Sequence, residues 1–226
     1  MKTIAGKIMV TPILKSDQVI DPELGRQKKV TLAPGVDILI STDYDDARRE
    51  GINCAEVIAV PEGLSAPTKA QLKYHYGEPY PYGIEVMPGD IIYFNHLVVD
   101  NAKAMGMNFK GKDMNSDLVP EKEYWLAEYL PVNGLFCYVR AGVMSMVGYN
   151  CIIKPCGAKK KSSLLWSPDD GDHEEGKYEV VHPGKCPEIM KGDLVILKPK
   201  TTYSVLVEEE EVMIVDWNKD VLAIVG

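Results

Sequence analysis

Glu188 to Gly226 reads EIMKGDLVILKPKTTYSVLVEEEEVMIVDWNKDVLAIVG, and its punctuation decides the fold class. Gly192-Asp193 is a turn that launches the apolar run Leu194 to Leu197. A second β-rich run, Tyr203 to Val207, ends in the glutamates Glu208 to Glu211, and Val212 to Val215 begins a third. The glutamates therefore mark a hairpin tip, where carboxylates stay hydrated while the flanking β-branched residues pair across it. Asp216 to Asp220 reads as a turn and Val221 to Val225 as a last strand. Short strands separated by turns predict an all-β chain.

The same block occurs earlier in stretched form. Ile84 to Leu97 (IEVMPGDIIYFNHL) parallels Pro187 to Lys200 (PEIMKGDLVILKPK), and Gly134 to Gly148 (GLFCYVRAGVMSMVG) reads against the chain's last residues, each ending in glycine. This is an internal duplication. From turn glycine to closing glycine the second copy runs 34 positions (226 − 192) and the first 59 (148 − 89), which puts an insertion near residues 98–125. The expected organisation is an N-terminal extension over 1–34, a first domain over 35–148 and a second over 149–226.

Composition narrows the function classes. The 226 residues are 46% hydrophobic and 26% charged, with no run near the ~20 apolar residues of a membrane span and no signal-peptide pattern at the start. A cytoplasmic protein is expected. A net charge of −8 argues against a nucleic-acid partner, because binding phosphates needs a basic surface, and Lys159-Lys160-Lys161 is too short to reverse that. Five scattered cysteines are expected to be reduced thiols rather than a disulfide framework. Two small domains would each be marginal alone, and oligomerisation is a common remedy.

Taken in order, Lys7 to Leu14 reads as a strand within an extension that adds an edge strand or packs across the first domain. Val36 to Ile40 and Ile52 to Val60 read as strands flanking a polar loop, Ser41 to Gly51. Gln71 to Tyr82 carries Tyr74, Tyr76, Tyr80 and Tyr82 around Pro79 and Pro81, which favours an extended hairpin or polyproline-like strand. Those rings either line a binding surface or pack on their neighbours. The segment from Asp100 to Glu123 reads as a long loop bearing Met105, Met107, Phe109 and Met114.

Leu164-Leu165-Trp166 is the sharpest functional signal, a large apolar triplet inside the hydrophilic loop between Cys156 and Lys177. Either it folds back as a staple or a partner buries it. Other motifs fail on spacing. Gly106 to Lys112 has phosphate-loop spacing, but Asp113 stands where a Ser or Thr should hold magnesium. Cys151, Cys156, His182 and Cys186 have the residue types of a zinc site without its two-residue gaps, so no metal is expected. No catalytic motif is present, and no enzyme is expected.

The C-terminal block resembles the GroES co-chaperonin family, on Gly192-Asp193 with Leu194 to Leu197, the acidic hairpin at Glu208 to Glu211 with Val212 to Val215, and the ending Asp220-Val221-Leu222-Ala223-Ile224-Val225. The likeness covers the second half from Tyr149 onward and, more loosely, Cys54 to Val60, Val86 to Phe94 and Leu135 to Gly148. The tandem form is similar to the plastid double co-chaperonins, and the divergence and extra segments look more like a bacteriophage version.

The resemblance implies two tandem irregular antiparallel β-barrels, a homo-oligomeric ring that caps a chaperonin, and docking through a hydrophobic tripeptide on a mobile loop. Leu164, Leu165 and Trp166 occupy the matching place, with Trp where the family has a smaller residue. Tyr74, Tyr76, Tyr80 and Tyr82 fall where the family has a roof hairpin facing the enclosed cavity. Ser41 to Gly51 lacks a tripeptide, so only the second domain is expected to hold the chaperonin. Non-native proteins are the implied cargo, with no cofactor and no catalysis. The alternative from sequence is a structural or adaptor protein, virion-associated in one version, that reuses the fold.

Overall fold

The computed structural model describes residues 3, 6–13, 27–33, 36–41, 53–95, 98, 106–110, 119, 121–129, 131, 134–156, 177–199, 203–207 and 210–225. The chain is mostly β, in two compact units, Met1–Ser145 and Met146–Gly226. Its strands are β1 (Lys7–Pro12), β2 (Gln27–Ala33), β3 (Val36–Ser41), β4 (Cys54–Ala59), β5 (Ile91–Phe94), β6 (Asn108–Lys110), β7 (Glu123–Glu128), β8 (Leu135–Arg140) and β9 (Val143–Met146), then β10 (Asn150–Pro155), β11 (Lys177–His182), β12 (Leu194–Leu197), β13 (Tyr203–Val207), β14 (Glu210–Asp216) and β15 (Val221–Val225).

One topology is used twice. The first sheet runs β6-β7-β1-β4-β5-β8-β9 and the second β13-β14-β10-β11-β12-β15. Each of the first six strands thus has its counterpart in the same place. Both sheets are open from edge to edge among the described residues, and no closed barrel is formed there.

Even the irregularities repeat. The β1–β4 register slips between Met9 (opposite Ala59) and Val10 (opposite Val57), and the β10–β11 register slips between Ile152 (opposite His182) and Ile153 (opposite Val180). A second slip falls between Tyr93 and Phe94 where β5 meets β8, and between Ile196 and Leu197 where β12 meets β15. Bulges re-aim the strand beyond them, so matched bulges impose the same bend on both sheets.

The Gly-Asp turns match atom for atom. Gly89 (φ 91°) and Gly192 (φ 94°) occupy the left-handed region, which costs glycine little. Asp90 accepts the Met87 N–H on Oδ2 at 2.8 Å and donates its own N–H to the Met87 carbonyl. Asp193 does the same with Met190. Val57 and Val180 then each bond to both turn residues, their N–H to the Asp carbonyl and their C=O to the Gly N–H.

Pairing also corrects the match between the copies. Ile92 faces Tyr138 and Val195 faces Ile224, so Leu135 to Val139 correspond to Val221 to Val225. Gly148 is therefore not the counterpart of Gly226. That place falls to Arg140, and among the described residues β9 has no counterpart strand in the second sheet.

Two further expectations are revised. β1 lies inside its sheet, between β7 and β4, rather than at an edge or across the domain. Its residues Ile8, Met9, Val10 and Thr11 are all buried, as a central strand with both faces covered requires. The stretch beginning at Gln71 is not an extended hairpin at the outset: Ala66–Tyr76 is an α-helix, α1. Ser65 caps it, with Oγ accepting the Thr68 N–H at 3.2 Å, and Pro67 sits in its first turn. Buried Thr68 and Leu72 tie it down, and it ends at Gly77.

The core of the second unit gathers Cys151, Ile153, Val180, Ile189, Val195, Leu197 and Val215, flanked by Tyr178, Cys186 and Trp217. In the first unit Met9, Ala59 and Tyr124 form one buried cluster.

Candidate functional site

The loop that carries the predicted docking triplet is placed by its two ends. β10 and β11 pair through Lys154 opposite Glu179 and Pro155 opposite Tyr178, and the Cys156 N–H reaches the Lys177 carbonyl at 3.2 Å. Lys154 and Glu179 add an ion pair at 3.0 Å, both partly exposed, worth little by itself. Cys156 and Lys177, the residues that flank 157–176, are therefore held side by side. Leu164, Leu165 and Trp166 lie outside the described residues. Leu164 is 8 positions (164 − 156) from Cys156, so an extended limb reaches ~27 Å.

In the first unit the corresponding connection, between β1 and β4, holds the β2–β3 hairpin, with Val30 opposite Ile38 and Lys28 opposite Ile40. The counterpart of the loop is thus longer than the Ser41 to Gly51 stretch singled out from sequence.

The four predicted roof tyrosines are brought together in part. Tyr76 stacks on Tyr80 at 6.1 Å between centroids, and Tyr80 meets Tyr82 edge-on at 5.4 Å. Tyr74, on the outer face of α1, is 88% exposed and packs edge-on against His75. The whole element is an insertion: Val57 to Ile92 spans 35 positions (92 − 57), whereas Val180 to Val195 spans 15 (195 − 180). Among the described residues only the first unit carries this aromatic surface.

A partly buried hydrogen-bond network supports it. Tyr80 donates its hydroxyl to Glu85 Oε2 at 2.7 Å, and the Glu85 N–H donates to the Tyr129 hydroxyl at 3.1 Å. Arg140 binds Asp90 through two bonds and the Glu85 carbonyl through a third at 3.1 Å. Burial pushes the Tyr129 phenol well above its usual range, so it stays a neutral donor and acceptor. Sequence reasoning missed Glu85, Tyr129 and Arg140; the glutamate four residues before the turn glycine recurs in the second copy as Glu188, and the signal available in the first copy alone was the arginine that ends its β8.

Cys151 is fully buried, and its thiol is pushed up to about 12, first by burial and then by Cys186, Asp216 and Asp220 nearby. It is a protonated thiol at neutral pH rather than a nucleophilic thiolate. His182 accepts the Gly184 N–H on Nδ1 at 3.1 Å. Among the described residues no three His, Cys, Asp or Glu side chains converge as a metal site would require. Among the same residues no helix is long and apolar enough to cross a membrane.

Comparison with protein-family models finds no match, and comparison with curated proteins finds none.

Proposed function

We propose that the chain is a tandem co-chaperonin similar to the GroES family, which caps a chaperonin ring and assists its ATP-dependent folding of non-native proteins. In this reading each sheet belongs to an irregular barrel, several chains form the ring, and the nucleotide is hydrolysed by the partner. The observation that carries the reading is the repeated six-strand order, with residues 157–176 issuing from the paired ends of β10 and β11.

The docking chemistry suits a reversible cap. Burying Leu164, Leu165 and Trp166 contributes roughly 5–8 kcal/mol, and ordering each loop residue costs about 1–2 kcal/mol. One loop therefore binds weakly. Several loops on one ring bind together, while each contact remains individually breakable.

The test is replacement of Leu164, Leu165 and Trp166 by Ser, followed by co-elution with a chaperonin and nucleotide. Loss of binding with an unchanged sedimentation profile supports the reading, and retained binding overturns it. A wild-type oligomer that ignores chaperonins from its own source points instead to a structural adaptor built on the same fold.

A further inference from the structure

The five thiols are not equally placed to meet. In the first unit Cys54 and Cys137 face Tyr93 from its two sides. They stand two strand spacings apart, about 9.6 Å, beyond the reach of a disulfide. In the second unit Cys156, just past the end of β10, is five positions from Cys151, about 17 Å along an extended strand.

Cys186 is differently placed. Ile152 faces His182, and the ladder continued one step sets Cys151 beside Pro183, then Asn150 against Gly184. Gly184 (φ 64°) lies so near Asn150 that a Cβ there would collide with the Asn150 carbonyl oxygen. Pro183 to Cys186 then makes a tight turn, the Cys186 N–H donating to the Pro183 carbonyl at 3.4 Å, the bond that closes a four-residue turn. The turn folds Cys186 back onto Pro183 and so toward Cys151. Both side chains join one apolar core with Ile153, Val180 and Ile189, and Cys186 adds to the upward push on the Cys151 thiol.

The fold does not ask for a thiol at this place. Met9 corresponds to Ile152 through the matched bulges, so the first unit has Ile8 where the second has Cys151, and both are buried. The two cysteines also differ in access. Cys186 is partly exposed and Cys151 fully buried, so a small oxidant reaches Cys186 first. Cys151, held protonated by burial, is the slower to react.

We infer that Cys151 and Cys186 are a redox pair, reduced at rest, which hydrogen peroxide closes to a disulfide. The Cys186 sulfur takes one oxygen from the peroxide, giving a sulfenic acid and releasing water. The Cys151 sulfur then attacks the sulfenic sulfur. The S–S bond forms, the S–O bond breaks, and the departing hydroxide leaves as water with the Cys151 proton. A dithiol reductant restores both thiols and is itself oxidised to a disulfide. Closure ties β10 to the connection between β11 and β12. The inference concerns the second unit alone and needs no chaperonin.

The test treats the folded full-length protein with a small excess of hydrogen peroxide at pH 8, then unfolds it in urea, blocks it with iodoacetamide and maps it by mass spectrometry without reductant. A linked pair of peptides carrying Cys151 and Cys186 is expected, from chains that run as monomers on a non-reducing denaturing gel, and dithiothreitol is expected to abolish it. In Cys151→Ala, Cys186 is expected to stop at the sulfenic acid and take up dimedone. Wild-type protein with Cys186 oxidised to sulfinic acid and Cys151 still free overturns the proposal, as does a predominant link to Cys156 or between chains. If the alanine variant fails to fold, the wild-type map decides.

Discussion

Arg140 grips Asp90 with two parallel hydrogen bonds, Nε to Oδ1 and Nη2 to Oδ2, each 2.7 Å long. The carboxylate is 1% exposed and also accepts the Met87 N–H that shapes the Gly89 turn. In the second unit Asp193 shapes the Gly192 turn in the same way, but it is only half-buried, and in sequence a glycine, Gly226, stands where the first copy has Arg140. The turn needs the aspartate; burial is what adds the arginine. A fork-to-fork pair supplies the bonds that water gives to the exposed copy.

Arg140→Ala is therefore expected to lower the stability of the first unit by about 2–3 kcal/mol, below the full figure for a buried pair because the guanidinium is partly exposed. Arg140→Lys should fall between, since an ammonium offers charge without the planar fork. Urea unfolding followed by the aromatic signal of the first unit reads both, and a wild-type midpoint for Arg140→Ala sinks the account.

The Tyr129 hydroxyl receives the Glu85 N–H beside this pair, so Tyr129→Phe leaves a half-buried amide without that partner. A cost of about 1–3 kcal/mol is expected. Tyr74→Ala, at the exposed face of α1, should change stability by less than about 0.5 kcal/mol. If the aromatic surface faces the enclosed cargo, as the family resemblance implies, Tyr74→Ala lowers capture of an unfolded client while thermal unfolding stays put.

Helix α1 depends on its cap. Ser65 Oγ accepts the Thr68 N–H and lies 2.7 Å from Thr68 Oγ1, which is buried with its residue. Ser65→Ala is expected to cost about 1 kcal/mol, and Ser65→Asp to restore most of it. Hydrogen exchange over 66–76 should speed up in the alanine variant and not in the aspartate one.

The duplication was legible because Gly192-Asp193 and Gly89-Asp90 impose a turn that few other dipeptides make, and both copies place it before an apolar strand. Where the copies end was not legible. Leu135 to Val139 and Val143 to Met146 are both short apolar strands, and local pattern cannot say which one lies beside β5; only the ladder through Ile92 and Tyr138 does. The helix was hidden for another reason. Pro79, Pro81 and the alternating tyrosines drew attention, while Ser65 and Pro67, the actual start signals, lie just upstream. Glu85, Tyr129 and Arg140 come from segments 44 and 55 positions apart, a convergence set by the sheet order rather than by any motif.

Cys151 gives the second unit a pH signature. Its thiol moves from an ordinary value of 9.0 to about 12, chiefly through burial. Below pH 9 the thiol is protonated in both states, so its contribution is fully present. Between 9 and 12 the unfolded chain releases the proton while the folded chain keeps it. The folded state then binds more protons, and stability must fall as pH rises. The loss approaches roughly 4 kcal/mol at the top of the window. Lysines and tyrosines add their own alkaline slopes, Tyr129 in the same direction, so the informative quantity is the difference between wild type and Cys151→Ala. The variant should start less stable, having lost a buried sulfur, and the gap should narrow from pH 9 upward. A gap that stays constant to pH 11 means that the thiol ionises in place or is relieved by local opening. Alkylation at pH 8 provides the companion measurement. Cys186 and Cys156, both partly exposed, should react in the folded protein, and Cys151 only after unfolding.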